Sequence, residues 1–414
     1  MEKLKYEYSD FNKAEENNRM IERIKKNNLC LGCGLCSSVL GKDKCEMVLT
    51  EKGFYEPKVK QPTTAKENKT VKQLCPGIHV ETTPHKGVWG SMKSIAEAWS
   101  ANPEIRHKAA SGGVITSLAI FLLEQKKVDA VLQVGVCDDS YLYNELKVSY
   151  SREDVLHNAQ SRYAPALVFD NIKQILDSSD EIYAFIGKPC DMAAMQNFCR
   201  EFPQYKQRIK FYLSIFCAGM PSYNATVKIW QQSGHTDTPL KLKYRGEGWP
   251  GNFKAEFADC SDYQITYNES WGTVLNRHLA FRCKICPDGI GMLADIAVGD
   301  SWNTKDGYPD FTESEGRCFC MIRTNKGISL FNEAAKSGYI ESHDLSISRI
   351  QEMQSYQFER RKLSGWRIFP VQLFSGFMLN FKGLCIVKQA LTAQMKVGVR
   401  NMVGTIRRIR NHGK

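Results

Sequence analysis

The sequence has no long apolar run and no amino-terminal leader pattern. No stretch of about 18 to 20 uninterrupted apolar residues occurs, which argues against a membrane-spanning helix. The first residues, MEKLKYEYSDFNKAEENNRM, are charged and lack the apolar region of a signal peptide. Because both features are missing, we expect a cytoplasmic protein.

Acidic residues are missing from the last part of the chain. Between Arg360 and Lys414 there are twelve Lys or Arg residues and no Asp or Glu, and the whole chain has a formal net charge of +11. The remainder therefore has a charge of −1, so we expect no nucleic-acid partner. Two interpretations of residues 346–414 stay open: peripheral contact with the inner face of the membrane, or an amphipathic segment packed on its own domain.

Cysteine is abundant, but its pattern does not suit disulfides. The chain has 15 cysteines, an odd number, and Cys30, Cys33 and Cys36 are too closely spaced to staple a fold. Cys283 and Cys286 form a further C-x-x-C pair. Metal ligation in a reducing compartment is therefore favoured over disulfide formation.

The segment CLGCGLC, residues 30–36, indicates an iron–sulfur cluster. Three thiolates spaced C-x-x-C-x-x-C on a glycine-containing turn suit three corners of a [4Fe-4S] cubane. Zinc sites more often use separated C-x-x-C pairs. As the fourth ligand we prefer Cys75 to Cys45, because Pro76 follows it as Pro follows the last cysteine of ferredoxin runs.

A second group of four cysteines is dispersed along the chain: Cys190, Cys217, Cys283 and Cys286. Cys190 and Cys217 each follow a predicted buried strand, and parallel neighbouring strands would bring both to one edge of a sheet. The loop with Cys283 and Cys286 would close the site. From the residues alone this group suits zinc as well as an iron–sulfur cluster, and either isolated cysteine is typical of a buried thiol.

The order of predicted strands and helices indicates an α/β fold with some α+β character. Residues 1–88 form a small ferredoxin-like [4Fe-4S] module that opens with a charged helix. Residues 89–175 and 176–345 form the two parts of an α/β body, of which the second carries the second group of cysteines, with an antiparallel β addition in glycine-punctuated segments. Residues 346–414 are the basic amphipathic C-terminal segment.

Seven motifs in order resemble the β subunits of coenzyme F420-reducing hydrogenases and dehydrogenases. Relatives of this family occur in bacterial gene clusters for polysaccharide biosynthesis, and a plant chlorophyll reductase is another relative. The motifs lie roughly within residues 28–345 and are CLGCGLC, Cys75-Pro76-Gly77, SGGVITSLAIFLLEQKKVDAVL, SRYAPAL, GKPCDMAAM, FCAGMPS and CKICPDGIGMLADIAVGDSW.

This resemblance implies a flavin, FAD or FMN, beside a [4Fe-4S] cluster. The cluster ligands it implies are Cys190, Cys217, Cys283 and Cys286. It also implies that the first cluster relays electrons between this core and an external ferredoxin-like carrier. We therefore predict an oxidoreductase that reduces or oxidises an organic substrate, either coenzyme F420 or a glycan precursor. The basic tail and the polysaccharide relatives favour the glycan precursor.

Two other classes of function stay open. One is an electron-transfer subunit of a larger complex that has no substrate of its own. The other is a zinc-stabilised scaffold in which the cysteines only build the fold.

The predicted flavin contacts come from two short segments. Ser111, Gly112 and Gly113 open a predicted helix whose free backbone N–H groups would cradle a phosphate. Alone, this pattern is also typical of a plain turn before a helix. Arg162 and Tyr163, in the SRYAPAL match, are secondary candidates to touch flavin or substrate.

The remaining polar residues do not predict an acid or base. In the family that the sequence resembles, a Thr often precedes the Pro-Cys pair, and here that residue is Lys188. We expect this difference to alter a contact to flavin or substrate but to leave the cluster ligand Cys190 intact. Asp295 and Asp300 are interpreted as structural hydrogen-bond acceptors rather than a catalytic pair, with Asp300 and Trp302 shaping the pocket. The scattered histidines, which have no partner at catalytic spacing, are His107, His157 and His278.

Overall fold

The computed structural model describes residues 19–85, 87–376 and 378–412. The charged helix predicted at the start of the chain falls on residues 1–18, outside the described residues. The strands are β1 (Cys45–Leu49), β2 (Tyr55–Val59), β3 (His79–Glu81), β4 (Ser94–Ser100), β5 (Ala130–Cys137), β6 (Ser140–Ser149), β7 (Tyr183–Gly187), β8 (Ile209–Ile215), β9 (Lys241–Lys243), β10 (Phe253–Glu256), β11 (Asp262–Ile265), β12 (Ile296–Asp300), β13 (Asn303–Lys305), β14 (Tyr308–Asp310), β15 (Cys318–Ile322), β16 (Ile340–Asp344) and β17 (Asn380–Lys382).

Sixteen α-helices surround these strands in the described residues. They are α1 (Met20–Lys26), α2 (Leu35–Leu40), α3 (Ala65–Leu74), α4 (Pro103–Lys108), α5 (Val114–Glu124), α6 (Arg152–Asn158), α7 (Ile172–Asp177), α8 (Pro189–Glu201), α9 (Tyr223–Gln231), α10 (Phe281–Lys284), α11 (Asn325–Lys336), α12 (Ile347–Met353), α13 (Ser355–Lys362), α14 (Ser364–Ser375), α15 (Ile386–Ala390) and α16 (Met395–His412). Shorter helical turns lie at Pro203–Tyr205, Asn268–Val274 and Leu275–Arg277. Of the described helices, none is long and apolar enough to cross a membrane.

An eight-stranded mixed sheet forms the centre of the molecule, in the order β16-β4-β15-β12-β8-β7-β5-β6. Its four middle strands β12, β8, β7 and β5 are parallel neighbours. The strands on either side pair antiparallel. The α/β architecture predicted from the sequence is therefore confirmed.

Both faces of the central strands are buried, which explains their apolar runs. Leu132 of β5 belongs to one core cluster and its neighbour Val131 to the cluster on the other face. Helix α8 covers the first face, and α5 with α11 covers the second. Parallel strands covered by helices on both sides have continuous rather than alternating hydrophobicity, as these do.

The amino-terminal unit shares its core with the sheet. It consists of α1, α2, the β1–β2 hairpin and α3, which begins with a capping box between Thr64 and Glu67. Leu29, Leu35 and Leu74 pack in the same cluster as the apolar residues of β5 and β7. The unit is therefore fastened to the body by a common core.

Two further parts complete the fold. The strands β9, β10 and β11 form the antiparallel addition that the sequence predicts, and they pack with α9. The C-terminal helices return to the amino-terminal unit, where β17 pairs in parallel with β3, with Phe381 opposite Val80. Arg360 and Arg361 are 2% and 0% exposed, so the first two basic residues of the tail lie inside the protein.

Candidate iron–sulfur centres

The first cysteine group surrounds a single apolar cavity. Cys30 and Cys33 come from the turn that leads into α2, Cys36 lies in the first turn of α2, and Cys75 follows the last residue of α3. All four side chains line the cavity together with apolar residues, among them Ile21, Ile24, Leu35, Met47, Val71 and Leu74. The structure thus brings together the four residues predicted as ligands of the first cluster.

Close backbone contacts explain the glycines of this turn. Gly32 and Gly34 have φ values of +66° and +85°, in the left-handed region that favours glycine. A Cβ atom on Gly32 would lie 2.7 Å from the carbonyl oxygen of Tyr55, and one on Gly34 would lie 2.7 Å from the backbone nitrogen of Asp170. Only a glycine-rich turn can therefore hold the three thiols in this place.

Cys45 occupies a different position from Cys75. It is the fully buried first residue of β1, and its thiol is a neighbour of the thiol of Cys36. This contact, together with burial, holds the pKa of Cys36 well above its usual range. Cys45 is not among the residues that line the cavity, so the geometry favours Cys75 as the fourth ligand.

The second group assembles at the carboxyl edge of the parallel strands. β7 and β8 are parallel neighbours, with Gly187 beside Ser214, so the segments that follow them lie side by side. Cys190 follows β7 in the first turn of α8, and Cys217 follows β8. The predicted arrangement of strand ends is therefore confirmed.

The loop with the last two cysteines approaches the same place. Cys283 lies in α10, and the backbone N–H of Cys286 donates to its carbonyl oxygen at 3.3 Å. Burial raises the pKa of Cys217 to about 12, and the nearby thiols of Cys283 and Cys286 also raise it. Burial likewise raises the pKa of Cys190, and Asp191 and the nearby thiols of Cys217 and Cys283 also raise it. The four thiols thus share one buried neighbourhood.

A buried arginine lies beside this second group. Arg360 donates to the carbonyl oxygens of Cys217 and Cys283, at 3.0 and 2.5 Å, and its Nε has no hydrogen-bond partner among the described residues. No Asp or Glu of the described ranges forms an ion pair with it. Burial lowers its pKa, but Tyr356 and the thiols of Cys286, Cys217 and Cys283 raise it by more, so the side chain stays charged.

This unpaired guanidinium fits an anionic centre. A buried cation without a counter-charge is costly by several kcal/mol, so proteins place an anion beside it. Four thiolates around an iron–sulfur cluster supply such an anion. Across the described residues no three His, Cys, Asp or Glu side chains are grouped so that they could hold a single metal ion. The second cysteine group fits an iron–sulfur cluster because of its four thiols and the nearby Arg360.

The two cysteine groups are joined by a second buried arginine. Arg282, 2% exposed, precedes Cys283 and donates to the carbonyl oxygens of Pro76 and Gly77, at 3.0 and 2.5 Å, directly after Cys75. In addition, Leu31 of the first turn packs in one apolar cluster with Cys283 and Cys190. The two candidate centres are therefore neighbours in the fold.

Lys188 also belongs to this region. Its Nζ lies 2.8 Å from the Oδ2 of Asp191, which is buried, and the thiols of Cys190 and Cys217 are among its neighbours. Cys33 of the first group is close enough to interact with the same charge. The lysine that replaces the usual Thr thus adds a positive charge between the two groups.

Two of the residues predicted to cradle a flavin phosphate contact the start of β15. The N–H of Gly112 donates to the Sγ of Cys318 at 3.1 Å, and the hydroxyl of Ser111 donates to the carbonyl oxygen of Arg317 at 3.2 Å. Gly113, with φ +76°, begins α5 as predicted. The helix start is confirmed, but the Gly112 donor is already in use.

Arg162 is also fully engaged within the protein. It donates to Asn144 Oδ1 at 2.6 Å, to the carbonyl oxygen of Leu242 at 3.0 Å and to that of Tyr141 at 2.5 Å. Its guanidinium also lies over the ring of Tyr244. These contacts give Arg162 a structural role, fastening β6 to the antiparallel addition.

Tyr163 faces an aromatic group that the sequence did not predict. Arg245, 3% exposed, forms a two-pronged ion pair with Asp300 at 3.0 Å and donates to the Tyr163 hydroxyl at 3.3 Å. Its guanidinium also lies 4.7 Å from the ring centre of Tyr267 and 5.2 Å from that of Trp302. Asp300 and Trp302 thus both contact Arg245, and their role in a pocket stays a prediction.

Asp295 has a separate, structural task. Its carboxylate accepts from the backbone N–H of Tyr212 at 2.9 Å and from the hydroxyl of Thr324 at 2.6 Å. Lys326 lies 3.0 Å from its Oδ2. Asp295 and Asp300 therefore serve different networks, as the structural interpretation of both residues expects.

Fold and site together define a cysteine-rich α/β protein that presents two neighbouring groups of four thiols. Comparison with known families narrows this class. Residues 95–173 match the amino-terminal part, and residues 180–347 the carboxyl-terminal part, of the family described as "Coenzyme F420 hydrogenase/dehydrogenase, beta subunit". Because these matches cover more than half of the chain, the protein belongs to this family, as its motifs predict.

Similar proteins occur in methanogenic archaea. An uncharacterized protein of Methanocaldococcus jannaschii is 23% identical over 375 residues, which are 82% of this chain and 97% of that protein. The coenzyme F420 hydrogenase subunit beta of Methanococcus voltae is 25% identical over 266 residues, 62% of this chain and 86% of that subunit. A chain of the F420-reducing [NiFe] hydrogenase complex from Methanosarcina barkeri shares the fold, with a TM-score of 0.53 and 19% identity over 69% of this chain and 96% of that chain.

Proposed function

We propose that this protein is an iron–sulfur flavoprotein oxidoreductase with two [4Fe-4S] clusters. The ligands of the first would be Cys30, Cys33, Cys36 and Cys75, and those of the second Cys190, Cys217, Cys283 and Cys286. When bound, the clusters supply single-electron exchange with a ferredoxin-like carrier, and a flavin, FAD or FMN, supplies two-electron chemistry toward an organic substrate. The main support is Arg360, a buried cation without a carboxylate partner among the described residues, which donates to the carbonyl oxygens of Cys217 and Cys283 and lies near thiols that would be anionic as ligands.

The protein's own contribution is orientation and charge. The glycine turn fixes three thiols over the first cavity, and the parallel strand ends bring Cys190 and Cys217 together. Arg282 aligns the loop of the second group with the turn after Cys75. Arg360 and Lys188 place positive charge beside thiols that would be anionic as ligands.

The flavin-binding residues remain a proposal with uneven support. Among Ser111, Gly112, Gly113, Arg162 and Tyr163, most of the donors already bond within the protein. Tyr163 is the candidate that we favour, because its hydroxyl lies beside the Arg245–Asp300 pair in an aromatic surrounding. Buried aromatic rings with a few placed polar groups are typical of cofactor and ligand pockets.

Relatives favour coenzyme F420 as the substrate, over the glycan precursor that the sequence analysis favoured. Besides the hydrogenase subunit, the F420-dependent formate dehydrogenase 1 subunit beta of Methanococcus maripaludis is 27% identical over 245 residues, 59% of each chain. The coenzyme F420-dependent sulfite reductase of Methanocaldococcus jannaschii is 22% identical over 362 residues, 83% of this chain and 51% of that enzyme. We propose that the chain also reacts with coenzyme F420.

The deciding experiment is anaerobic purification followed by iron, sulfide, zinc and flavin analysis. Two [4Fe-4S] clusters require about eight iron atoms per chain, accompanied by one flavin. Cys33→Ser and Cys217→Ser should each lower the iron content to about four atoms, because each removes a ligand from a different group. The matched control is Cys260→Ser, which changes an exposed cysteine outside both groups.

Other outcomes would overturn parts of the proposal. Zinc without flavin or sulfide would favour the zinc-stabilised scaffold. If the unaltered protein holds about four iron atoms and one of the two serine variants does not lower this number, the cysteine group changed in that variant is structural. The protein can be reduced with light and then mixed with coenzyme F420. If it contains the clusters but does not reduce coenzyme F420, this substrate is refuted.

A second candidate function is an electron-transfer subunit without its own substrate. Its support is that the Methanococcus voltae and Methanosarcina barkeri relatives are parts of hydrogenases. Affinity purification from the native host distinguishes the two: a stoichiometric oxidoreductase partner required for activity supports the subunit, and activity of the isolated chain refutes it.

A further inference from the structure

The last helix, α16, leaves an apolar stripe open to solvent. Met395, Val399 and Val403 recur every four residues and therefore lie on one side of the helix. Met395 is 74% exposed, and the two valines are 41% and 38% exposed. On the neighbouring helix α14, Phe369 and Leu373 are 59% and 67% exposed. Large apolar side chains exposed in such numbers mark an interaction surface.

A different side of α16 packs against the body of the protein. Gly398 touches the ring of Trp366, from which an added Cβ would be only 2.4 Å away. Arg367 donates from Nε to the Oδ1 of Asn401 at 3.0 Å, and Thr405 is buried. The helix is therefore held in place without the Met395–Val399–Val403 stripe, which remains unpartnered among the described residues.

Positive charges border this apolar stripe. Lys396, Arg400 and Arg407 are exposed and follow the stripe around the helix. Among the described residues none of them forms an ion pair with a carboxylate, and the sequence has no Asp or Glu anywhere in residues 360–414. The body of the protein thus offers these charges no compensation.

We propose that α16 docks on a membrane surface that contains anionic lipids. The apolar stripe would enter the boundary between headgroups and acyl chains, and Lys396, Arg400 and Arg407 would contact the negative headgroups. A nucleic acid would satisfy the cations but leave the apolar stripe in water, so we favour the lipid surface. The proposal concerns attachment and does not depend on the redox function.

Vesicle flotation with the full-length protein tests this proposal. We expect binding to vesicles of phosphatidylcholine with phosphatidylglycerol, weak binding to phosphatidylcholine alone, and a loss of binding when salt screens the charges. The triple variant Lys396→Glu, Arg400→Glu, Arg407→Glu should bind the anionic vesicles at least roughly tenfold more weakly, since each cation contributes near the surface. Val399→Ser with Val403→Ser should also weaken binding at low salt, although it leaves the charges unchanged.

A matched triple variant controls for net charge. Lys52→Glu, Lys69→Glu, Lys336→Glu changes the charge by the same amount at exposed lysines on other elements, and it should bind vesicles like the unaltered protein. Equal loss in both triple variants, equal binding to neutral vesicles, or no binding at all would overturn the proposal. So would a dimer in sedimentation that the serine variant dissociates, or RNA binding that displaces the vesicles. Unchanged iron content and circular dichroism confirm that each variant is folded.

Discussion

At the scale of single residues, the informative feature is a pair of buried arginines in different surroundings. Arg360 is flanked by thiols, whereas Arg323 donates to the carbonyl oxygens of Trp89, Ser91 and Ile290. Burial lowers the pKa of Arg323 to about 10, and Asp288 opposes the shift. Both side chains donate hydrogen bonds to backbone carbonyl oxygens. Only Arg360 has thiol neighbours, which would become anionic as ligands.

Arg360→Gln should therefore make the cluster that we propose for the second group harder to reduce. Removing one positive charge at the effective dielectric of a protein interior costs the reduced state roughly 1–2 kcal/mol. For a one-electron couple this is a shift of about 45–90 mV to lower potential. Redox titration followed by electron paramagnetic resonance measures it. Arg323→Gln is the control and should leave the potential unchanged; equal shifts in both variants would refute the assignment.

Sequence reasoning identified the cysteines that come together in the structure but missed the arginines around them. Local spacing indicates Cys30, Cys33 and Cys36, because a metal-binding turn is a short-range pattern. Arg282 and Arg360 act at positions more than 70 residues from some of the groups they contact, as in the bond from Arg360 to the carbonyl of Cys283. No local pattern announces such contacts.

At the scale of elements, strand order was predictable only in part. The parallel pair β7 and β8 could be expected, because each strand is a buried run followed by a helix or turn. The strand β4 could not be placed, because its partners β15 and β16 follow it by more than 200 residues. Similarly, nothing in the sequence indicated that the hydrogen-bond donors of Ser111 and Gly112 have partners, because Cys318 contacts them only in the folded protein.

Arg282→Met tests the connection between α10 and the turn after Cys75. The variant leaves the carbonyl oxygens of Pro76 and Gly77 without their donor inside the protein. We expect a free energy of unfolding lower by about 2–4 kcal/mol, because each unsatisfied buried carbonyl is costly. Anaerobic denaturation with guanidinium measures it. Arg277→Met, at an exposed position just before α10, should be nearly neutral.

If the two variants are destabilised equally, the contact of Arg282 has no special role. We also expect Arg282→Met to lose iron from the first group faster than from the second during exposure to a chelator. The turn after Cys75 depends on this arginine, whereas the loop of Cys283 keeps the hydrogen bond from Arg360.

At the scale of the whole molecule, the C-terminal helices are part of the core. The family match ends at residue 347. Beyond it, Ile368, Val371 and Leu384 still pack in the cluster that contains Leu29 and Leu35 of the amino-terminal unit. The compositional division at residue 346 therefore does not mark a break in packing.

One contact in this region predicts a pH dependence of stability. The Nη2 of Arg361 lies 3.4 Å from the Nε2 of His85, a bond that requires the neutral ring. Burial lowers the pKa of His85 in the folded protein, and Arg361 lowers it further. Since the folded pKa is below the unfolded value of about 6.5, this stabilisation is present above pH 6.5 and is lost as the pH falls from there.

The unfolding free energy should therefore decline as the pH is lowered from about 6.5, the ordinary histidine pKa. His85→Gln, which keeps a neutral acceptor for Arg361, should decline less. His157→Gln, at an exposed helical position, should follow the unaltered protein. Denaturant unfolding at a series of pH values measures all three; parallel curves for the two variants would contradict the role of His85.

The pairing of β3 with β17 has a consequence for how the protein is made. His79 and Asn380 are adjacent in this sheet but about 300 residues apart in the chain. At a translation rate of about 5–20 residues per second, roughly 15–60 s pass between the synthesis of the two strands. During that interval Cys30, Cys33, Cys36 and Cys75 are already outside the ribosome, while the core behind their cavity lacks Phe381 and Leu384. We therefore expect the surroundings of these four thiols to be complete only when synthesis is nearly finished.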